Sequence, residues 1–358
     1  MAERTRRKNP TSKDIAQRLG INQSTVSRAL HGKCASPEMV AKVRKVADEL
    51  GYRPHAGARL LVSGRSHSIC LMFPDLSDHY QFQSIAAFHR EARKLGYHIV
   101  LAPYERDDTE FEEYGDYLVR ERRVDAVIAY GIIHPRFDAV VARLMSQNVP
   151  TLTIGPCHVP NVHLLNIDYD QFRRDVANHL ANLGHTTIGV ILNTIGDLKG
   201  VEAEHLHRMH VFQNTLHARG ISWSRGDLLQ MCIPTIENGY QAARHLLELH
   251  PRPTAIYSSK DVLALGVLQA ARDMGLRVPQ DLSITGFENT ELSQFFDITT
   301  GECSLDEVAS KCLRIVIEVL TRGSDNLGVL YDEVKPVLII RGSTGVAPRN
   351  SNPERRQH

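Results

Sequence analysis

The sequence predicts two architectures in one chain: a small all-helical headpiece, then a larger body of two doubly wound α/β lobes. Three observations carry this. Three short helical patterns with caps and stops crowd into residues 12–51. From Ser68 onward, unbroken apolar runs alternate with helical stretches, as parallel strands covered on both faces require. The charge is also split: residues 1–60 hold 13 Lys+Arg against 5 Asp+Glu, and the remainder holds 29 against 36. A basic module on a mildly acidic body suits nucleic-acid binding, because neutralised phosphates supply most non-specific affinity.

The first pattern runs from Ser12 to Leu19, with Ile15, Ala16 and Leu19 on one face. Thr11 or Ser12 can cap it, Asp14 sits where the helix dipole favours a negative charge, and Gly20 can stop it. Asn22 is an N-cap for a second helix from Gln23 to about Leu30, with Val26 and Leu30 facing inward. Small Ala16, Gly20 and buried Val26 let two helices cross through a tight turn, as a helix-turn-helix requires. Ser36-Pro37-Glu38 opens a third helix, in which Val40, Val43, Val46, Ala47 and Leu50 keep helical spacing up to Gly51. A generic three-helix bundle would show the same periodicity. Against it, the outer face of the second helix presents Gln23, Ser24, Ser27 and Arg28, short hydrogen-bonding groups and a guanidinium in place of a Glu/Lys mixture.

The totals narrow the classes further. At 358 residues, 42% hydrophobic and 23% charged, the chain can bury real cores, which argues against disorder. No apolar run approaches the roughly eighteen residues of a membrane span, and the N-terminus lacks the apolar middle of a secretory signal, so a cytoplasmic protein is expected. Cys34, Cys70, Cys157, Cys232, Cys303 and Cys312 form no C-x-x-C pair and read as reduced thiols packed as small hydrophobes. His205, His207 and His210 invite a zinc reading, but only His207 and His210 share a helix face and no carboxylate or cysteine completes a set; a solvated helix surface is the better account. No cofactor or metal is expected.

Asp14-Ile15-Ala16, Gly20, Ser24-Thr25-Val26-Ser27-Arg28-Ala29-Leu30 and Glu49-Leu50-Gly51-Tyr52-Arg53-Pro54 resemble the headpiece of the LacI/GalR (lactose-repressor) family. The resemblance continues through almost the whole chain. It implies a sequence-specific transcriptional regulator, a repressor, acting as a homodimer or dimer of dimers on a pseudo-palindromic double-stranded DNA operator. Gln23, Ser24 and Arg28 would enter the major groove, while Thr25, Ser27 and His31 position the phosphate backbone. Residues 1–54 are then the headpiece and 55–66 the hinge. The hinge is a two-turn helix too short to stand alone, weakened further by Gly57. The family implies that it orders on DNA and wedges Leu61 into the minor groove beside Ala58. Packing of Leu60 and Leu61 beneath the body is the alternative. Gly57 replaces a larger apolar residue usual in the family, and His55 a common Asn.

In the body, strands are expected at Ile69–Phe73, His98–Ala102, Ala126–Tyr130 and Thr151–Ile154, with helices at Gln81–Leu95, up to about Arg122, and at Phe137–Ser146. A second series begins near Asn166 and includes strands at Thr187–Leu192, Ala255–Tyr257 and Leu282–Gly286. The resemblance implies a periplasmic-binding-protein-like (type I) sensor body over 67–345, with an N-lobe at about 67–168 and 298–325 and a C-lobe at about 169–297 and 326–345. The chain would cross between lobes near Asp168, Asp297 and Asp325. Residues 346–358 read as a disordered tail. A solute-binding protein shares such a body but needs a signal peptide and lacks a helix-turn-helix. A P-loop, G-x-G-x-x-G, G-x-S-x-G or H-E-x-x-H motif would point to an enzyme, and none occurs.

Strands of this kind bind ligands at their carboxyl ends. The candidate effector contacts are Tyr80, Arg208, Lys260, Phe287 and Glu288. Arg208, in Arg208-Met209-His210-Val211-Phe212, matches the family helix that brings an arginine fork to the ligand. Lys260 stands where the family usually has Asn, with Ser259 or Asp261 expected to cap the following helix. Leu276–Glu288 matches one of the family's most recognisable stretches and puts Glu288, in place of Asp, at a strand end, able to accept from two sugar hydroxyls. Gly155-Pro156, Pro234 and Gly301-Glu302-Cys303 depart from the family's pocket and remove its usual stacking platform. The implied effector is a sugar or sugar derivative, and Lys260 with Arg208 suits a sugar acid or phosphate.

Overall fold

The computed structural model describes residues 10–30, 36–52, 64–74, 79–104, 117, 121, 123–131, 135–193, 202–224, 226–323 and 327–348. It divides into two compact units, Met1–Ser66 and His67–His358.

In the first unit α1 (Ser12–Leu19), α2 (Gln23–Leu30) and α3 (Pro37–Leu50) enclose Ile15, Ala16, Val26, Ala29, Val43 and Ala47. The N–H and hydroxyl of Thr11 both donate to the Asp14 carboxylate, at 2.6 and 2.8 Å, so Thr11 is the cap and Asp14 closes the turn. Gly20 takes φ 66°, a left-handed geometry that side chains resist, and the next N–H, from Ile21, returns to the Ala16 carbonyl. This is the tight turn between α1 and α2. Ser36 caps α3 by accepting the Met39 N–H at 3.3 Å, directly ahead of Pro37.

The second unit holds two six-stranded sheets. The first is built from β1 (Ser68–Pro74), β2 (His98–Tyr104), β3 (Ala126–Tyr130), β4 (Thr151–Ile154), β5 (His163–Ile167) and β11 (Tyr331–Val334), in the order β11-β5-β4-β3-β1-β2, all parallel. The second contains β6 (Ile188–Asn193), β7 (Leu229–Cys232), β8 (Ala255–Ser258), β9 (Ser283–Phe287), β10 (Thr299–Glu302) and β12 (Val337–Ile339), in the order β12-β10-β9-β8-β6-β7. Among the described residues only the β10–β12 pair is antiparallel. The helices are α4 (His79–Lys94), α5 (Pro135–Ser146), α6 (Tyr169–Asn182), α7 (Glu202–Ala218), α8 (Ile236–Leu247), α9 (Asp261–Asp273), α10 (Glu291–Phe295) and α11 (Leu305–Arg322).

Strand periodicity explains the layering. Ile69, Leu71 and Phe73 of β1 face one way, into a core shared with Phe88 of α4 and Leu313 of α11. Cys70 and Met72 face the other way, onto Phe137, Val141 and Leu144 of α5. A strand buried on both faces has to be apolar throughout, as this one is. The larger core runs on through Phe172 and Phe287 into the second lobe.

Strand order corrects several expectations. Asn166 lies in β5 of the first sheet, so the second series starts only with β6. The polar run Thr299–Glu302 is a strand of the second sheet, so the chain returns to the first lobe after Glu302 and not near Asp297. β11 belongs to the first sheet, which moves the last crossing to Lys335-Pro336; Asp325 lies outside the described residues. Most of the helix expected to end near Arg122 lies outside them too. The chain end is tied down further than expected: Ser343 donates its N–H to Asp297 and Ala347 donates its own to the Leu183 carbonyl, so a tail starting at 346 starts too early.

Candidate functional site

The headpiece presents its polar face on α2. Asn22, Gln23, Ser24 and Arg28 are exposed and Thr25 and Ser27 half-buried, while Val26 and Ala29 hold the helix to the core. Gln23 donates its side-chain amide to Ser12 Oγ at 2.9 Å, which fastens α2 to the start of α1. Arg28 Nε donates to the Ser24 carbonyl at 3.3 Å. His31, Ala58 and Leu61 lie outside the described residues.

In the body, three of the expected effector residues meet where the two lobes face each other. Lys260 follows β8 and is the N-terminal residue of α9's cap; Glu288 follows β9; Tyr80 is near the start of α4 in the first lobe. The Lys260 ammonium donates to the Glu288 carboxylate, whose side chain is 3% exposed. It also lies 5.5 Å from the centre of the Tyr80 ring, across the lobes. Burial, with the charge of Glu288 a lesser cause, pushes the Tyr80 phenol well above its usual range, so Tyr80 is a neutral hydroxyl. Phe287 turns into the core instead, 4.8 Å from the Phe172 ring and 5.4 Å from Tyr169. Arg208 lies in α7, but its side chain is outside the described part.

The turn carrying Glu288 is strained and then tied. Glu288 has φ 119° and Asn289 φ 53°, both left of where side chains settle freely. The Glu288 N–H donates to the Gly301 carbonyl at 2.8 Å, and Asn289 accepts from Arg341 at 2.5 Å. Asp261, fully buried, accepts from the N–H and hydroxyl of Thr290 at 2.8 and 3.1 Å and from the Thr300 hydroxyl at 2.5 Å. Burial raises its pKa despite those bonds. Neither Ser259 nor Asp261 caps α9, which corrects that expectation. Lys260 occupies the cap position without a side-chain hydrogen bond to the helix backbone, its ammonium going to Glu288 instead, while Ser259 accepts the Asn193 N–H at 2.7 Å and donates to its side chain at 2.9 Å. Gly301, one of the departures, has a physical reason: a methyl there would collide with the Phe172 and Phe287 rings.

Reasoning from sequence missed Asn193, Tyr130 and Ser84. Asn193 closes the apolar run Ile188–Leu192, and a polar residue at the carboxyl end of a buried strand was the signal available. Tyr130 ends β3 and hydrogen-bonds Ser84; burial raises its pKa above the usual phenol range.

A basic helix-turn-helix ahead of a two-lobed parallel α/β body defines a DNA-binding transcriptional regulator with a periplasmic-binding-protein-like sensor fold. Residues 11–55 match bacterial regulatory proteins of the lacI family, and residues 177–344 match the periplasmic binding protein-like domain. The chain thus carries a lacI-type regulatory helix-turn-helix segment followed by a periplasmic-binding-protein-like domain. It is similar along its length to the HTH-type transcriptional repressor CytR of Escherichia coli K12, 29% identical over 354 residues and covering 94% of this chain and 97% of that one. It is as close to the HTH-type transcriptional regulator DegA of Bacillus subtilis 168, 29% identical with 92% and 97% covered. The solved lac repressor dimer bound to operator and the anti-inducer ONPF has the same fold, with a TM-score of 0.79 at 24% identity over 94% of this chain and all of that one. The transcriptional regulator CelR–cellobiose complex follows at 0.67 and 23%, covering 93% and 99%. Among the described residues no helix is long and apolar enough to cross a membrane.

Proposed function

We propose that this regulator represses transcription as a homodimer whose operator affinity is set by a sugar or sugar derivative held between its lobes. The observation that carries the reading is the Lys260–Glu288 pair set against Tyr80 across the cleft. An effector entering there meets a donor, an acceptor and an aromatic face from both lobes, so its binding free energy can favour one lobe arrangement. Arg208 completes the proposed contacts, with Phe287 packed behind them against the Phe172 and Tyr169 rings. Lys260 already spends its charge on Glu288, which favours a neutral polyhydroxyl ligand over the sugar acid or phosphate that Lys260 and Arg208 suggest from sequence. The headpiece spans 1–54 and the hinge 55–66 in this reading, with Gln23, Ser24 and Arg28 on base edges, Thr25, Ser27 and His31 on phosphates, and Ala58 and Leu61 in the minor groove.

Selection of genomic fragments by the purified protein supplies the operator, and a palindrome is expected. Calorimetry with a neutral hexose, the corresponding sugar acid and its phosphate, with and without that operator, then tests the coupling. Tight binding that leaves operator affinity unchanged would remove the effector role, and preference for the acid or phosphate would overturn the neutral class. Changing Arg28 to Ala should cost about 1–3 kcal/mol at the preferred operator and relax its sequence preference. Equal loss on every duplex would reduce Arg28 to a phosphate contact.

A further inference from the structure

Lys260 and Glu288 stand side by side at the carboxyl end of the second sheet. β8 and β9 are neighbouring parallel strands, with Tyr257 opposite Thr285, and the two residues follow closely on them. Lys260 has extended backbone, φ −145° and ψ 146°, and makes no cap bond to the helix it precedes. Its ammonium donates to the Glu288 carboxylate and lies 5.5 Å from the centre of the Tyr80 ring, which belongs to α4 of the first lobe. One cation thus meets a carboxylate of one lobe and an aromatic face of the other.

The setting strengthens both contacts. The side chains of Lys260 and Glu288 are 18% and 3% exposed, and attraction between a cation, a carboxylate and a ring grows as water is excluded. The Glu288 turn is also held to its own lobe, through its N–H to Gly301, Asn289 to Arg341 and Thr290 to Asp261. Parting the lobes therefore takes the ammonium from the Tyr80 ring or from the carboxylate, and either loss falls on a charge with little water around it. Three crossings of the chain join the lobes, after β5, after β10 and between β11 and β12, so this side-chain contact is a separate connection.

We infer that Lys260 is a built-in latch, whose ammonium joins the two lobes across the cleft and has to leave the Tyr80 face before an effector can take that place. A contact made only when the lobes meet favours the arrangement in which they meet. Displacement by an effector rests on the proposed effector site. Closure by Lys260 does not, and it is testable on the protein alone. An ion pair that merely braces the second lobe would leave the first lobe untouched by its loss.

The test is hydrogen-exchange mass spectrometry on the full-length protein. Lys260→Met should raise exchange about tenfold in residues 80–88 of α4, in the opposite lobe, as well as around Glu288. Lys260→Arg keeps a cation that can pair with the carboxylate and lie over the ring, so it should retain the original protection. Tyr80→Leu leaves the ion pair intact and should raise exchange around Lys260 and Glu288 in return, which keeps the test available if Lys260→Met folds poorly. Exchange in β3 should stay unchanged in all three variants. Small-angle scattering should show a larger radius of gyration for Lys260→Met and Tyr80→Leu and not for Lys260→Arg. Changes confined to the lobe that carries the substitution, or an unchanged radius of gyration, overturn the latch.

Discussion

Each lobe is built on its own six-stranded sheet, yet the carboxyl ends of the two sets of parallel strands are finished differently. In the second lobe they are densely wired: Ser259 to Asn193, Asp261 to Thr290 and Thr300, Asn289 to Arg341, Lys260 to Glu288. Among the described residues, the first lobe's carboxyl ends present the rings of Tyr80 and Tyr130, the latter hydrogen-bonded to Ser84, with Gly155-Pro156 following β4 and a smaller polar set, Asn166 to Glu333, at the β5 edge. Hydrogen-bond networks in a low-dielectric setting stiffen what they join, and apolar faces tolerate sliding. The second lobe should then be the stiffer jaw and the first the one that adjusts.

The difference can be broken from the rigid side first. Asp261→Ala strands the Thr290 N–H and two threonine hydroxyls in the interior, and urea unfolding should show a loss of about 3 kcal/mol. A loss below about 1 kcal/mol would mean that the network carries little of the second lobe's rigidity. Gly301→Ala presses a methyl against the Phe172 and Phe287 rings and should cost about 1–3 kcal/mol by the same measurement. On the adjustable side, Tyr130→Phe removes one buried bond to Ser84 and should cost only about 1 kcal/mol. If it matches Asp261→Ala, the contrast between the jaws fails.

The smallest effect concerns pH. His185 is buried in the second lobe, its ring nitrogens 2.9 Å from Thr254 Oγ1 and from Ser283 Oγ, and burial depresses its pKa below the usual imidazole value. The unfolded chain takes up that proton first as pH falls, so stability is complete above the ordinary imidazole pKa and declines below it. Melting temperature should fall between about pH 7 and about pH 5, and fall less in His185→Gln. An identical decline in the variant would assign the acid sensitivity to other groups.

Much of this fold was legible because central parallel strands announce themselves: Ala126–Tyr130 and Thr151–Ile154 are apolar runs, and both are strands with those bounds. β10 was not, since Thr-Thr-Gly-Glu looks like a loop until β9 and β12 flank it and Asp261 takes the Thr300 hydroxyl. Misreading it moved a lobe crossing. β11, with an exposed Tyr331 and a half-buried Asp332 and Glu333, was lost because an edge strand needs no apolar face. At the site, Glu288 followed from its place after a strand. Its pairing with Lys260 did not, because that depends on how β8 and β9 lie side by side. Asp261 sits where helix caps sit, and only three-dimensional contacts show it holding a different turn.

The late position of β11 and β12 has a consequence for biosynthesis. The last helix of the headpiece is complete at Leu50, but the first sheet lacks its edge until residues 331–334 are made and the second until 337–339. At about 5–20 residues per second, the body is finished roughly 15–60 s after the headpiece. A chain cut short between Leu50 and Tyr331 therefore carries a complete helix-turn-helix and a body in which neither sheet has its last strand.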